Sequence, residues 1–340
     1  VEDDYSTPMR VFGLYPLAYL PVAFVTDRAY DKIRLKNKRR FEEQILRGSL
    51  VRYTYERQRE PKANSAREIL QNYEKNSLGL IELSESDQIK LAVIFAPDVI
   101  QDTASSYDRI GKLHWKGSEV SLDPNQPAIY YYLTHVMLGS EPVIQINYSF
   151  WYTAREGESA PWFERGEFDG LTLRVTIDWD GEPVMVDIMN SCGCYHFFVP
   201  SRNAFAASKE LPFEIDPLVF DWLPPEYPTN TLSLFVNSGW HQVDLIRTNL
   251  FEGTPTAYEL VPYGNLEELP YLNSQTRNIF DNKGIFKGSY RIEPYIFFSM
   301  GIPKVGFMRQ RGHHPVKMLG RDHFDNPEII NENFILNTDN

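Results

Sequence analysis

The stretch that decides the fold is LTLRVTIDWDGEPVMVDIMN, residues 171–190. Apolar and polar residues alternate on both sides of Asp180-Gly181, which is the pattern of two antiparallel strands joined in a hairpin. An Asp-Gly pair suits a two-residue turn, because both central positions of such a turn need positive φ. We therefore predict an antiparallel hairpin with strands at residues 171–179 and 182–190.

The register of this hairpin follows from its turn. A turn at residues 180–181 sets Arg174 directly opposite Asp187, and opposite charges that face each other across two strands stabilise the pairing. The same register puts seven apolar side chains on one face: Leu171, Leu173, Val175, Ile177, Val184, Val186 and Ile188. We expect that face to be buried, and the hairpin to present the segment after residue 190 from a rigid base.

The rest of the chain divides into a helical and a β-rich part. Ala29, Ile33, Phe41 and Ile45 recur at helical spacing, and a second helix is predicted after Pro61. After about residue 78, β-branched and aromatic runs alternate with turn residues, and residues 128–138 and 143–152 form a second predicted hairpin. We predict an α+β fold, with a mainly helical N-terminal portion at residues 1–80 and a β-rich domain of antiparallel hairpins at 81–340.

One apolar segment lies near the start of the chain, at residues 11–25. It is interrupted by Pro16 and Pro21 and is shorter than the roughly 20 residues that span a bilayer, so we predict no transmembrane span. We expect the segment to be buried in the fold. Attachment to a membrane surface is the alternative.

Composition excludes several classes of partner and chemistry. The chain has 340 residues and a net charge of −12, and duplex nucleic acid is bound by basic surfaces, so we expect no nucleic-acid partner. The short basic run at residues 32–40 is interpreted as a solvated helix face. No glycine-rich phosphate loop, dinucleotide fingerprint, His-Glu-x-x-His helix or Gly-x-Ser-x-Gly elbow occurs, which disfavours nucleotide chemistry.

The segment Cys192-Gly193-Cys194-Tyr195-His196 is the strongest candidate for chemistry. Thiolates and imidazoles are the ligands that borderline and soft metals prefer, and three of them lie within five residues here. The alternative is that both cysteines are small buried apolar residues and the histidine belongs to the core. We predict a transition-metal site, and a metal-dependent enzyme in preference to a carrier.

Three ligands leave the coordination of such a metal incomplete, so distant histidines are expected to complete it. The candidates are His241 in a predicted strand and the adjacent His313 and His314 in a predicted loop. Two thiolates with two histidines favour zinc, whereas nearby methionines would favour copper. The predicted ligand set is therefore drawn from Cys192, Cys194, His196, His241, His313 and His314.

Two other functions stay open. In a cysteine hydrolase or transferase, Cys194 would be the nucleophile and an imidazole such as His241 its base. In a non-catalytic module that binds polysaccharide or another envelope component, exposed tryptophans such as Trp162, Trp222 and Trp240 would stack on sugars. The sequence does not indicate whether the substrate is a small molecule or a polymer, nor the oligomeric state.

The cellular compartment is predicted from composition and from the absence of nucleotide-binding motifs. An acidic, aromatic-rich chain without nucleotide motifs suits the periplasm or cell envelope of a bacterium, and the cytoplasm is the alternative. The two cysteines are too few and too close in sequence to form a disulfide scaffold. The first residue is Val1, so a leader removed by processing is compatible with the sequence.

Overall fold

The computed structural model describes residues 3–56, 64–210 and 217–337. Within these ranges the helices are α1 Thr7–Phe12, α2 Tyr15–Asn37, α3 Asn64–Gln71, α4 Glu85–Ile94, α5 Gly264–Glu267, α6 Glu293–Ile296 and α7 Ile329–Asn333. The strands are β1 Ser49–Thr54, β2 Asp98–Thr103, β3 Lys112–Lys116, β4 Glu119–Asp123, β5 Ala128–Leu138, β6 Glu141–Arg155, β7 Gly166–Ile177, β8 Pro183–Asn190, β9 Phe197–Pro200, β10 Phe205–Ser208, β11 Leu232–Val236, β12 Val243–Thr248, β13 Pro255–Ala257, β14 Glu259–Pro262, β15 Leu269–Pro270, β16 Thr276–Arg277 and β17 Phe334–Leu336. The predicted α+β class is confirmed.

Two sheets form the body of the protein. The larger has six strands in the order β14-β5-β6-β7-β8-β9, and all of its pairs are antiparallel except that of β14 with β5. The smaller has five strands in the order β12-β11-β2-β1-β13 and mixes parallel with antiparallel pairs. Three two-stranded sheets, β3-β4, β10-β17 and β15-β16, lie outside these two.

The main hydrophobic core contains apolar side chains from both large sheets. Val99 and Leu234 of the five-stranded sheet belong to the same buried cluster as Val175 and Val186 of the six-stranded sheet. A second buried cluster includes Tyr130, which neighbours the main cluster along β5, together with apolar residues from the irregular C-terminal third of the chain. The six-stranded sheet is thus covered on both faces, and its strands β7 and β8 are buried along almost their whole length.

The deciding hairpin is formed by β7 and β8, and its predicted charge pairing is confirmed. Arg174 lies opposite Asp187 in the register, and both side chains are buried, with Arg174 Nη2 2.6 Å from Asp187 Oδ2. Leu173 pairs with Ile188 and Val175 with Val186, and all four lie in the main core as predicted. On the other face, Thr172 and Thr176 lie opposite Met189 and Met185.

The turn of this hairpin differs from the prediction. Asp178 N–H donates to the Glu182 carbonyl and Gly181 N–H to the Asp178 carbonyl, so three residues form the loop instead of two. Only Gly181 has positive φ, at 77°, because a turn of this type needs one left-handed residue at its end. The extra residue shifts the register between Thr176 and Ile177, and Val184 therefore packs in a different cluster from the other six predicted core residues.

The N-terminal portion is helical at its start and mixed thereafter. Helix α2 ends at Asn37, before the end of the predicted helical run. Strand β1 comes later in the chain and is an internal strand of the five-stranded sheet, so this part of the N-terminal portion is not helical. Helix α3 matches the second predicted helix, although Pro61 lies outside the described residues. The proposed boundary at residue 80 stays a prediction.

The apolar segment at residues 11–25 was expected to be buried, and this expectation is wrong. Its large side chains are mostly exposed: Phe12 is 81% exposed, Leu17 73% and Leu20 72%. The only buried residues of α2 are Ile33 and Asn37, near its C-terminal end. Among the described helices, none combines the length and the apolar character that crossing a bilayer requires.

Candidate functional site

The Cys-Gly-Cys segment forms a tight loop at the end of β8. Gly193 N–H donates to the Asn190 carbonyl over 2.8 Å, and Asn190 N–H donates to the Cys194 carbonyl over 3.0 Å. Gly193 has φ 91°, and a Cβ at this position would lie 2.3 Å from the Pro315 carbonyl oxygen. Glycine is therefore required here for both its backbone conformation and its size.

The loop brings the two thiols into contact with each other. The hydrogen bond from Cys194 lowers the pKa of the Cys192 thiol, and the nearby Arg155 guanidinium and the Cys194 N–H act in the same direction against the effect of burial. The same thiol contact, together with burial, raises the pKa of Cys194 well above its usual value. Cys192 is thus the sulfur that ionises first, and a thiolate is the nucleophilic form of cysteine.

Both cysteines line a cavity of about 330 Å³ with predominantly apolar walls. One wall comes from the middle of α2 and includes Val22, Val25 and Tyr30. Another part of the wall is formed by the Cys192 loop and by residues 315–319. A cavity of this size lies at the lower end of the range that holds small-molecule ligands.

Glu293 contributes an acid to this cavity. The residue begins α6 and is 3% exposed, and no hydrogen bond to its carboxyl group is formed within the described residues. Burial raises its pKa well above the usual range, and the negative charges of Cys192 and Glu164 add to the effect. The guanidinium groups of Arg155 and Arg291 favour the ionised form, but burial outweighs them, so the surroundings favour the neutral acid.

His196 lines the same cavity from the start of the strand that follows the loop. Its Nε2 lies 2.7 Å from Oδ2 of Asp187, the residue that also pairs with Arg174. Burial lowers the pKa of His196, while the hydrogen bond to Asp187 opposes that effect. The lowered pKa favours the neutral ring, and the Asp187 carboxylate, which can only accept, favours the tautomer with the proton on Nε2. Nδ1 forms no hydrogen bond with any described residue.

His241 occupies a different environment, between two carboxylates. Its Nδ1 lies 2.8 Å from Asp169 and its Nε2 3.1 Å from Asp108, and the ring stacks on Tyr152 with centroids 3.8 Å apart. Carboxylate oxygens only accept, so both ring nitrogens donate and the ring is an imidazolium. Burial opposes this protonation, but the two hydrogen bonds outweigh it and raise the pKa of His241.

A chain of buried ion pairs connects His241 to the cavity. Asp169 accepts two hydrogen bonds from Arg155, over 2.9 and 2.8 Å, and Arg155 also donates to Glu164 over 2.6 Å. Glu164, which lines the cavity, accepts further bonds from the Tyr195 hydroxyl over 2.5 Å and the Trp240 ring over 2.9 Å. Each carboxylate in the chain is matched by donors, which is the condition for a stable buried charge.

His313 and His314 lie beside other acidic residues. His313 Nδ1 is 3.4 Å from Asp4, and His314 Nδ1 is 3.9 Å from Asp325. Burial lowers the pKa of His314, and neither of its ring nitrogens has a hydrogen-bond partner within the described ranges. Neither histidine is among the residues that line the cavity.

The structure therefore brings together half of the predicted ligands. Cys192, Cys194 and His196 share the cavity wall, whereas His241, His313 and His314 lie elsewhere. Across residues 3–56, 64–210 and 217–337, no three His, Cys, Asp or Glu side chains form a group able to hold a metal ion. The prediction of zinc or copper is untested by this geometry and stays a prediction.

The three tryptophans of the polysaccharide interpretation lie in different settings. Trp162 is largely exposed, Trp222 stacks under the guanidinium of Arg202, and the indole of Trp240 donates to Glu164. Only Trp162 therefore offers an open ring face of the kind that stacks on a sugar.

Sequence reasoning missed the acidic and basic residues of this site: Asp108, Arg155, Glu164, Asp169 and Glu293. Each is an ordinary charged residue in its local sequence, and their meeting depends on pairing between distant segments. The one signal that pointed to them was the position of Arg155 and Asp169 beside the predicted strands, which favours burial of a matched pair.

Comparisons of the chain with protein-family models, with curated proteins and with solved structures found no match.

Proposed function

We propose that this protein is a cysteine-dependent transferase or hydrolase that acts on an apolar molecule carrying an electrophilic carbonyl group. The observation that carries the proposal is that Cys192, with a lowered pKa, and Glu293, with a raised pKa, line one apolar cavity. Titratable groups whose surroundings push their pKa values apart are the usual signature of a nucleophile or base paired with an acid.

The roles follow from these protonation states. The Cys192 thiolate attacks the carbonyl carbon, a sulfur–carbon bond forms, and the bond to the leaving group breaks as neutral Glu293 donates its proton to that group. Water or a second acceptor then attacks the thioester, Glu293 takes up the proton of the attacking group, and the thiolate of Cys192 is released. Each cycle returns both side chains to their starting protonation states.

The nucleophile and the base in this proposal both differ from those expected from the sequence, because the raised pKa of Cys194 disfavours its thiolate. His241 was the expected partner of Cys194, but both of its nitrogens donate to carboxylates, so it has no lone pair with which to accept a proton. Through Asp169 and Arg155 it instead supports the positive charge beside Cys192. Its proposed role is to position Arg155.

Turnover of nitrophenyl esters tests the proposal. We expect the octanoyl ester to be cleaved faster than the acetyl ester, because the cavity walls are apolar, and mass spectrometry should detect an acyl adduct on Cys192 after rapid acid quenching. Cys192→Ser should lower the rate by about 100-fold or more. An unchanged rate in Cys192→Ser, or an adduct on a residue outside the cavity, would refute the proposal.

Metal binding is the second candidate function. It is favoured by one observation, which is that Cys192, Cys194 and His196 line the same cavity while the Nε2 of His196 is held by Asp187. A carboxylate that holds the second nitrogen of a ligating histidine is typical of zinc sites. Elemental analysis of untagged protein reconstituted under reducing conditions tests it, and the absence of stoichiometric zinc or copper would exclude it.

A further inference from the structure

The N-terminal helices expose a continuous set of large apolar side chains. Together with the neighbouring segment around α6 they form a surface that we name the apolar face. Its members are Val11, Phe12, Leu14, Leu17, Leu20, Phe24, Val25, Tyr295, Ile296 and Phe298, each more than two-fifths exposed. The two parts adjoin, because a Cβ at Gly13 would lie 2.5 Å from Cα of Ser299. Exposed apolar surface of this extent marks an interaction site.

Charge is distributed unevenly along the same helix. Residues 11–26 contain no charged residue, whereas residues 27–40 contain seven basic and two acidic residues in a chain whose net charge is −12. Two of the basic side chains pair with acids, Arg34 with Asp31 and Lys36 with Asp244. Lys32 and Lys38 are exposed and form no ion pair with any described residue. Binding to a membrane surface increases with the apolar area that is buried and with the attraction of basic residues to anionic lipids, and α2 presents these two features one after the other along its length.

The apolar face is also continuous with the cavity. Val25 and Ile296 are exposed members of the face and at the same time line the cavity, as do Pro21 and Val22 on the adjacent side of α2. A molecule dissolved in a bilayer under this face would meet the opening of the cavity without crossing water. This step rests on the proposed function, because it concerns the substrate of Cys192.

We propose that the apolar face docks on an anionic lipid bilayer and that the cavity receives its apolar substrate from that bilayer. Anionic headgroups complement the exposed basic residues, and the acyl region beneath the headgroups would cover the apolar side chains. The helix lies in the interface and does not cross it, in agreement with the interruption of α2 by Pro21.

Co-sedimentation with vesicles tests the docking. The full chain is mixed with vesicles of phosphatidylcholine alone or with phosphatidylglycerol added, at low and at high salt. We expect binding to the anionic vesicles to exceed binding to the neutral ones and to weaken with salt. Leu17→Glu/Leu20→Glu should reduce binding to anionic vesicles by about tenfold or more, because two side chains then leave the acyl region.

Matched controls separate docking from general effects of charge. Leu78→Glu changes a leucine that is 75% exposed in the loop beside Pro142, and it should leave binding unchanged. Lys32→Glu/Lys38→Glu should weaken binding at low salt, whereas Lys116→Glu/Lys283→Glu, with the same change of net charge on other exposed lysines, should not. Equal losses in variants and controls would overturn the proposal.

Two further results decide between docking and its alternatives. Dimerisation in sedimentation experiments that is abolished by Leu17→Glu/Leu20→Glu, with no binding to anionic vesicles, would assign the face to a second copy and overturn the proposal. Vesicle binding by Cys192→Ser should equal that of the original protein. If esters are not turned over but this binding persists, the proposed chemistry fails and the docking stands.

Discussion

The surroundings of His241 and of Cys192 are both buried, both charged and linked through Arg155, yet they differ in how completely their polar groups are paired. Every nitrogen of His241 and every carboxylate around it has a hydrogen-bond partner. In the cavity, Glu293 and one nitrogen of His196 have none among the described residues. Full pairing stabilises a fold, whereas a buried acid without a hydrogen bond costs stability, and such groups are concentrated at functional sites.

A substitution among the fully paired residues around His241 should have the largest effect on stability. Asp169→Asn removes the charge that both Arg155 and His241 face, so Arg155 keeps only Glu164 as its carboxylate partner and His241 keeps only Asp108. We expect the free energy of unfolding to fall by about 3–5 kcal/mol in urea titrations. The control is Asp180→Asn, since Asp180 forms an exposed ion pair with Arg67 whose loss should cost less than about 1 kcal/mol. Similar losses in the two variants would contradict the comparison.

Replacing the glycine between the cysteines tests the loop that joins the two thiols. Gly193→Ala introduces a left-handed alanine, at about 1–3 kcal/mol, and adds a clash with the Pro315 carbonyl. Gly312→Ala is the matched control, because Gly312 has φ 81° and open space around it. We expect Gly193→Ala to unfold at clearly lower urea concentration than Gly312→Ala. Equal midpoints would show that the close approach of residue 315 is not maintained.

Replacing Glu293, the buried acid without a hydrogen bond to any described residue, should increase the free energy of unfolding instead of lowering it. The pKa of Glu293 is raised in the folded protein, so above about pH 4.3 the unfolded chain releases a proton that the folded protein retains, and stability falls as pH rises towards the folded pKa. Glu293→Gln abolishes this loss, so its stability relative to the original protein should increase from acidic to neutral pH, by about 1.4 kcal/mol for each unit of pKa shift. Exposed Glu119→Gln is the control, and a difference that does not grow with pH would contradict the assignment.

The smallest expected effect is a shift in the pH dependence of the alkylation rate of Cys192. Because the pKa of Cys192 is lowered, its alkylation rate should level off at a lower pH than that of free cysteine. In Cys194→Ser the thiol contact changes to a hydroxyl contact, and the profile should move by a fraction of a unit. A profile in Cys194→Ser that matches free cysteine would indicate that Arg155 and the loop N–H groups contribute nothing.

The sequence predicted those features that depend on local pattern. The β7-β8 hairpin, its Arg174–Asp187 pair and the presentation of residues 192–196 at its end all follow from alternation and a turn signal. The three-residue loop and the displaced Val184 did not follow, because an Asp-Gly pair fits more than one turn type. The site was half predicted, since Cys192, Cys194 and His196 are neighbours in sequence and Glu293 is brought to them only by folding.

The exposure of residues 11–25 shows that an apolar sequence alone does not predict burial within the fold. An apolar run indicates removal from water, but it does not say whether the rest of the chain or another phase provides the cover. In the docking proposal, the adjacent basic residues, which the sequence alone predicts to be a solvated helix face, supply that information. The two features belong to one helix, and only together do they indicate an interfacial surface.

The most direct test of the central claim is the site of alkylation by an iodoacetamide with an octyl chain, read by mass spectrometry of intact and digested protein after brief exposure at neutral pH with a chelator present. We expect one adduct, located at Cys192 and absent in Cys192→Ser, that forms faster than the adduct of unsubstituted iodoacetamide. An adduct at Cys194 alone, or no adduct on either cysteine, would contradict it.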